Sequence, residues 1–304
     1  MSSPWIQALR SVALNVPDLA LAERFYTEVW HLQVAARTDS SLYLRGSGAD
    51  HHLLALHQAP GTPTLRLVTL RARSASALPA IGAATLAAGG VVARAAGPAD
   101  DPAGGQSVLL RDADGRRFEV VFGDARHRDA DMAVTSTTDQ PTRLAHVVLN
   151  SANVARTQAF FERALGFTQA DRTRIMAFLN CDADHHSLAL ADADNAALNH
   201  IAFVMPTLDG VMRGGGRMQD AGHPVQWGPG RHGPGNNAFN YFLDPFGIVI
   251  EYTAEIEQID ASYRVGGPSD WTWPPGRVDQ WGLSAPPSAA LKAAQRAILF
   301  APDA

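Results

Sequence analysis

The 304-residue sequence holds a single cysteine, Cys181, so no disulfide can form within the chain and a zinc site built on thiolates is excluded. No uninterrupted apolar stretch approaches the roughly 20 residues needed to cross a bilayer, and the opening M-S-S-P-W-I-Q lacks a basic segment followed by an apolar core. A cytoplasmic protein without a membrane partner is expected. Charge is also sparse. Only 18% of residues are charged, the formal net charge is −5, and the arginines are scattered through both halves, which leaves no footprint for nucleic acid. Hydrophobic content of 46% still supports a sizeable core, and the length fits two ordinary domains.

What is present is a repeat. L-R-S-V-A-L-N from Leu9 matches L-A-H-V-V-L-N from Leu144, which sets Ser11 opposite His146 at an offset of 146 − 11 = 135. Both strings precede an amphipathic segment with an aromatic pair, Phe25-Tyr26 in one and Phe160-Phe161 in the other. Asp50-His51-His52 echoes Asp184-His185-His186 at an offset of 134, Leu67 falls near the place of His200, and Glu119 aligns with Glu251 at 132. The small drift is what loop deletions produce. One copy thus keeps His146, His200 and Glu251 together, and the other keeps only the glutamate.

Each copy reads as two strand-helix-three-strand units. In the first, a strand over 9–15 precedes an Asp18-capped helix over 18–30, strands near 40–45, 51–57 and 65–70, a helix over 75–89 and strands near 91–94, 106–110 and 117–122. The second repeats this order: strand 144–149, helix 154–164, strands 168–171, 174–180, 186–190 and 199–204, helix 207–221, strands 224–227, 238–243 and 248–253. Four βαβββ modules in two pairs predict an α+β fold. The expected domains are 1–122, lacking a metal, and 142–257, carrying one, with a polar linker over 123–141. A tail over 258–304 holds Trp271, Trp273 and Trp281 and a short helix near 287–299. So many aromatics predict that the tail packs over a domain or a neighbouring subunit.

Two imidazoles and one carboxylate, arranged facially with open positions, form the non-haem Fe(II) pattern. His146, His200 and Glu251 are 54 and 51 residues apart, so spacing alone says little, but each lies on a predicted strand, and strand alternation lets one residue per strand face a common surface. A lone histidine is by default structural; three ligands at matching repeat positions reverse that reading. With these residues in view, the second half resembles the extradiol ring-cleavage dioxygenases of the vicinal oxygen chelate superfamily, and the match extends over nearly the whole chain. The segments L-A-H-V-V-L-N, L-N-H-I-A-F and D-P-F-G-I-V-I-E-Y-T-A-E carry the resemblance and place the metal ligands at His146, His200 and Glu251. The resemblance further implies a catalytic acid-base at His186 in H-H-S-L-A, and His232 and Tyr241 orienting substrate oxygens.

It also implies curved, partly closed mixed sheets, Fe(II) with Mn(II) able to replace it, and a catecholic substrate with O2. The expected product is a ring-opened hydroxymuconic semialdehyde type compound, and the expected assembly a homo-oligomer. Gly233, Pro234 and Gly235 depart from the polar residues that the family carries after the R-H position, which puts substrate contacts on that loop in doubt. His185 is read as the outward strand neighbour of His186, without a role, and Glu119 as paired with a nearby arginine. His31, His57, His127 and His223 are read as structural or exposed. The rivals are a metal-dependent isomerase, lyase or thiol transferase of the glyoxalase type, and a ligand-sequestering protein that would need no metal triad.

Overall fold

A computed structural model describes residues 3–127 and 139–302; positions 128–138 of the expected linker lie outside them. The chain opens on β1 (Ile6–Val16), whose apolar run is buried along most of its length. Asp18 then ends the strand and starts a helix by accepting from the backbone N–H of Leu21 at 2.9 Å, satisfying an otherwise orphan donor. α1 (Leu19–Arg24) runs directly into a π-helical turn (Phe25–Val29), so the expected helix over 18–30 is present but widens halfway. That turn sets Phe25, Tyr26 and Trp30 into the interior.

After it come β2 (Gln33–Arg37), β3 (Ser41–Arg45), β4 (Leu54–Gln58), β5 (Thr64–Ala72), α2 (Ala77–Ala87), β6 (Val91–Pro98), β7 (Gln106–Arg111) and β8 (Arg117–Phe122). β2 was not foreseen: Q-V-A-A-R is an edge strand with no fully buried position, and so carries no apolar alternation to read. The strand order is β2-β3-β4-β1-β5-β8-β7-β6, with β1 parallel to β4, β5 parallel to β8, and β1 antiparallel to β5. Each βαβββ unit is one half of the sheet, joined to the other at the β1–β5 seam.

The second domain repeats this order: β9 (Arg143–Ser151), α3 (Val154–Leu165), β10 (Thr168–Arg172), β11 (Met176–Asn180), β12 (Leu188–Asp192), β13 (Ala197–Val204), α4 (Leu208–Asp220), β14 (Trp227–Arg231), β15 (Ala238–Leu243) and β16 (Val249–Ala254). Its sheet runs β10-β11-β12-β9-β13-β16-β15-β14, and neither sheet closes into a barrel. β14 lies a few residues later than the expected 224–227. The tail contributes α5 (Ala289–Ala294) and β17 (Ile298–Leu299). The expected helix over 287–299 stops early because Ile298 leaves it to pair antiparallel with Leu198 of β13.

One apolar core runs through both domains. Trp30 stacks on Tyr252 at 3.6 Å and 7°, and the Tyr252 hydroxyl donates to the Trp30 carbonyl at 3.0 Å. The Tyr26 hydroxyl crosses in the same way to Asp244 Oδ2 at 2.9 Å. The register of the central strands fixes what faces away from that core. Ala202 of β13 lies opposite His146 of β9 and also opposite Glu251 of β16, and His200 is two residues from Ala202. Alternation therefore places His146, His200 and Glu251 on one face. In the first sheet the same pairings, through Thr69, bring Ser11, Leu67 and Glu119 to the corresponding places.

Candidate metal centre

The three side chains brought to that face converge. His146 Nε2 and His200 Nε2 are 3.2 Å apart, and each is 3.3 Å from Glu251 Oε2. Donors held about 2.1 Å from one ion in cis positions are themselves roughly 3 Å apart, so this triangle fits a shared divalent cation. Glu251 Oε2 is buried and takes no hydrogen bond from the described residues, although His146 Nε2 and His200 Nε2 each lie 3.3 Å away. A buried carboxylate oxygen left without a partner is costly, and a cation between these three atoms supplies one. Among the described residues this is the group of three or more His, Cys, Asp or Glu side chains able to hold a metal.

The electrostatics of these residues suit a cation-binding set. Burial alone pushes the Glu251 carboxyl up, but the imidazoles of His146, His200 and His232 outweigh it and hold the group well below the usual carboxylate range. Burial pushes His200 down to about 4 against the opposing pull of Glu251, so its imidazole is neutral near pH 7, the form that binds metals. His200 Nδ1 faces Asn199 Oδ1 at 2.9 Å, an acceptor that puts the ring proton on Nδ1 and leaves Nε2 toward the centre. Asn237 Nδ2 donates to Thr253 Oγ1 at 2.7 Å and reaches Glu251 Oε1 at 3.5 Å. Neither asparagine was singled out in the sequence; Asn199 could have been, standing beside a candidate ligand in L-N-H-I-A.

The other expected site residues gather at the same place. The His186 ring lies 4.3 Å from that of His146. Burial, then the neighbouring His146, His185 and His232, push His186 well below the ordinary imidazole value. His232 Nε2 is 3.1 Å from the Tyr241 hydroxyl and 3.7 Å from Glu251 Oε1. Tyr241 is pushed well above 10 by burial and by Glu251, so it stays protonated and available as a donor. The two rings are held by aromatic packing, His232 stacked on Phe239 at 4.0 Å and Tyr241 on Trp227 at 5.1 Å. His232 follows the last residue of β14, in a turn closed by its backbone N–H donating to the Asn237 carbonyl at 2.9 Å.

Two expectations need correcting. His186 is not on a strand, because β12 begins two residues later at Leu188, and the bends over 181–187 release the chain from pleated alternation. His185 is therefore not an outward neighbour. It is fully buried beneath the tail, with Nε2 2.9 Å from Asp171 Oδ2 and Nδ1 3.0 Å from His186 Nδ1. The tail itself packs on this domain: Trp271 and Trp273 join Phe178, Trp227 and the five site residues His146, His186, His200, His232 and Tyr241 in lining a cavity of about 750 Å³.

In the first domain the carboxylate equivalent to Glu251 is paired by the chain itself. Arg94 Nη2 donates to Glu119 Oε1 and to Ser107 Oγ, both at 2.8 Å, which bears out the pairing expected for Glu119. Arg10 Nη1 donates to Ser11 Oγ at 2.9 Å and to His52 Nε2 at 2.8 Å.

Residues 8–120 and 143–252 match the family model described as the Glyoxalase/Bleomycin resistance protein/Dioxygenase superfamily. The chain is similar to Metapyrocatechase 2 of Cupriavidus necator, 36% identical over 155 residues that make up 48% of this chain and 46% of that one, so it matches about half of that relative's length. Among solved structures it is similar over its whole length to the Mn(II)-bound glyoxalase from Novosphingobium aromaticivorans, at 32% identity, 96% coverage of that chain and a TM-score of 0.85. Homoprotocatechuate 2,3-dioxygenase from Arthrobacter globiformis, 22% identical, shares the fold with a TM-score of 0.83 over 99% of this chain and 94% of the other. The repeat inferred from sequence, the two βαβββ sheet pairs and the family match over both copies agree: the chain belongs to the Glyoxalase/Bleomycin resistance protein/Dioxygenase superfamily.

Proposed function

We propose that the protein is an extradiol dioxygenase that adds both atoms of O2 to a catecholic ring and opens it beside the diol, giving a semialdehyde with a carboxylate. The observation that carries this reading is the convergence of His146, His200, His186, His232 and Tyr241 on one cavity wall, with Glu251 buried behind it 3.3 Å from both His146 and His200. His146, His200 and Glu251 would hold Fe(II), or Mn(II), the ion bound by the Novosphingobium glyoxalase. Such an ion supplies a Lewis acid that lowers the pKa of the adjacent diol hydroxyls and brings diol and O2 together.

The chain's own groups do the rest. His186, kept neutral by burial and by the imidazoles around it, accepts a proton released from the diol at Nε2 and returns it to oxygen as the O–O bond breaks. Tyr241, protonated at any working pH, donates toward a diol oxygen, with His232 holding its hydroxyl. Phe178, Trp227, Trp271 and Trp273 give the ring an apolar bed. A cavity of about 750 Å³ exceeds what one ring fills and favours a catechol with a bulky apolar substituent.

The similarity to the Novosphingobium glyoxalase supports a second reading, a glyoxalase-type isomerase, because it spans the whole chain. Protein purified without oxygen and loaded with Fe(II) or Mn(II) is given catechol, 3-substituted catechols and 2,3-dihydroxybiphenyl on an oxygen electrode. Stoichiometric oxygen uptake with a yellow product is expected, with the bulkier diols having the lower KM. Turnover of a hemithioacetal without oxygen uptake on any diol would replace the dioxygenase reading with the isomerase one.

A further inference from the structure

The doubled histidine before β12 joins the cavity to a buried carboxylate. Asp171, on β10 and fully buried, receives the Tyr263 hydroxyl at Oδ2 (3.0 Å) and the Gly266 N–H at Oδ1 (2.5 Å), and its Oδ2 is 2.9 Å from His185 Nε2. A carboxylate surrounded by donors is an acceptor, so the His185 proton sits on Nε2. That leaves a lone pair on His185 Nδ1, which can accept only from a proton on the Nδ1 of His186, 3.0 Å away. We infer that Asp171 and His185 form a positioning relay that fixes His186 in one orientation and one tautomer, with the proton on Nδ1 and the lone pair on Nε2 toward the cavity. The catalytic consequence rests on the dioxygenase reading: Nε2 is then free to form the N–H bond as a diol O–H breaks, while His185 still holds the ring from behind.

The silent domain contains an internal control. His51 and His52 repeat the pair at 3.0 Å between Nδ1 atoms and 86° between rings, against 3.0 Å and 87° for His185 and His186. There His52 Nε2 faces two groups, Arg10 Nη1 at 2.8 Å and, farther off, Asp101 Oδ2 at 3.4 Å; the nearer guanidinium only donates and so decides the contact. His52 Nε2 must accept, so its proton is on Nδ1 and points at His51, the polarity assigned to His186. Among the described residues, what the silent domain lacks is the anchor. At the shared irregularity of the edge strands, Asp171 opposite Phe178 corresponds to Ala36 opposite Tyr43. The carboxylate is present in the sheet that carries the metal-ligand set and absent from the one that does not. The tail completes the relay. The backbone N–H of His185 donates to the Glu257 carbonyl at 2.9 Å and that of Arg172 to the Gly266 carbonyl at 2.9 Å, so residues 257–266 hold Asp171 and His185 together.

The test needs a readout apart from turnover. In metal-free protein carrying 15N-histidine, the ring-nitrogen shifts of His186, assigned against His186→Asn, are expected to show one tautomer protonated at Nδ1. In His185→Phe, and in the isosteric Asp171→Asn should the first variant fail to fold, those shifts should move toward the average of two tautomers. In metal-loaded protein the same variants should lose about 10- to 100-fold in kcat, the usual effect of removing an outer partner, with the diol KM and the metal-dependent rise in melting temperature unchanged. A parent His186 protonated at Nε2, or variants that keep the parental tautomer, would overturn the relay. So would a fall in kcat accompanied by loss of the metal-dependent thermal shift, which marks a structural role. If the parent cleaves no diol, the dioxygenase reading fails while the tautomer measurement still decides the relay.

Discussion

Tyr241→Phe separates the chemistry of the site from its packing. The substitution removes one hydroxyl, 3.1 Å from His232 Nε2 and 3.4 Å from His200 Nε2, and leaves a ring of nearly the same shape against Trp227 and Phe239. In the resting protein the loss amounts to one neutral hydrogen bond, about 0.5–1.5 kcal/mol. An unfolding entropy of about 2.1 cal/mol/K per residue over 304 residues converts that to a fall in melting temperature of no more than roughly 2.5 °C. The effect on the reaction is larger. A preorganised donor facing charge that develops in a buried site contributes about 2.7–4 kcal/mol, so kcat should drop by about 10²–10³. Oxygen-electrode rates on a saturating bulky catechol, with thermal unfolding of the same metal-loaded samples, measure both quantities. A kcat within about threefold of the parent at an unchanged melting temperature would refute Tyr241 as a donor to the reacting oxygens.

Adding Fe(II) or Mn(II) at 100 times its dissociation constant should stabilise the parent by about 2.7 kcal/mol; His146→Ala, having lost one corner of the ligand triangle, should show no metal-dependent shift in thermal unfolding. His186→Ala should keep that shift yet lose about 10²–10⁴ in turnover, and equal activity to the parent across pH would remove its proton-transfer role. Burial pushes Asp244 up to about 7 against the Ile248 and Phe246 N–H groups and the Tyr26 hydroxyl. Its folded value lies above the unfolded one, so between about pH 4 and 7 the folded state holds a proton that the unfolded chain has released. Stability therefore falls as pH rises through that window, by at most about 1.4 kcal/mol per unit. Asp244→Asn should flatten the decline when denaturant unfolding is compared at pH 5 and 7.5; parallel curves for parent and variant would show that Asp244 is charged throughout.

The readings that survived were those carried by position within a repeat. Ser11, Leu67 and Glu119 could be set against His146, His200 and Glu251 because strand register tolerates little slippage once one face is buried, and the observed pairings through Thr69 and Ala202 are equivalent. The start of the first helix was likewise legible from Asp18, which caps it with a side-chain oxygen; Asn153 and Thr207 cap α3 and α4 in the same way but were not read as caps. What failed was local and depended on distant chain. His185 read as an outward strand residue because nothing in D-A-D-H-H-S shows that Tyr263 and Gly266 will come to lie over Asp171 behind it. The edge strand β2 and the short β17 were missed for a related reason: their pairing is decided by the neighbouring strand and not by their own pattern.

The arginine between Glu119 and Ser107 has a consequence for how the chain is made. A carboxylate at that place in the fold calls for a positive charge, and the first domain carries one on its own backbone, delivered in the same act of synthesis. It cannot be leached by a chelator, displaced by a competing ion or lost to oxidation. On the proposed reading, dependence on the supply of metal would be confined to one half of the chain. The other half meets the metal-ligand half through Trp30, Tyr26 and α2, contacts that involve none of the ligands.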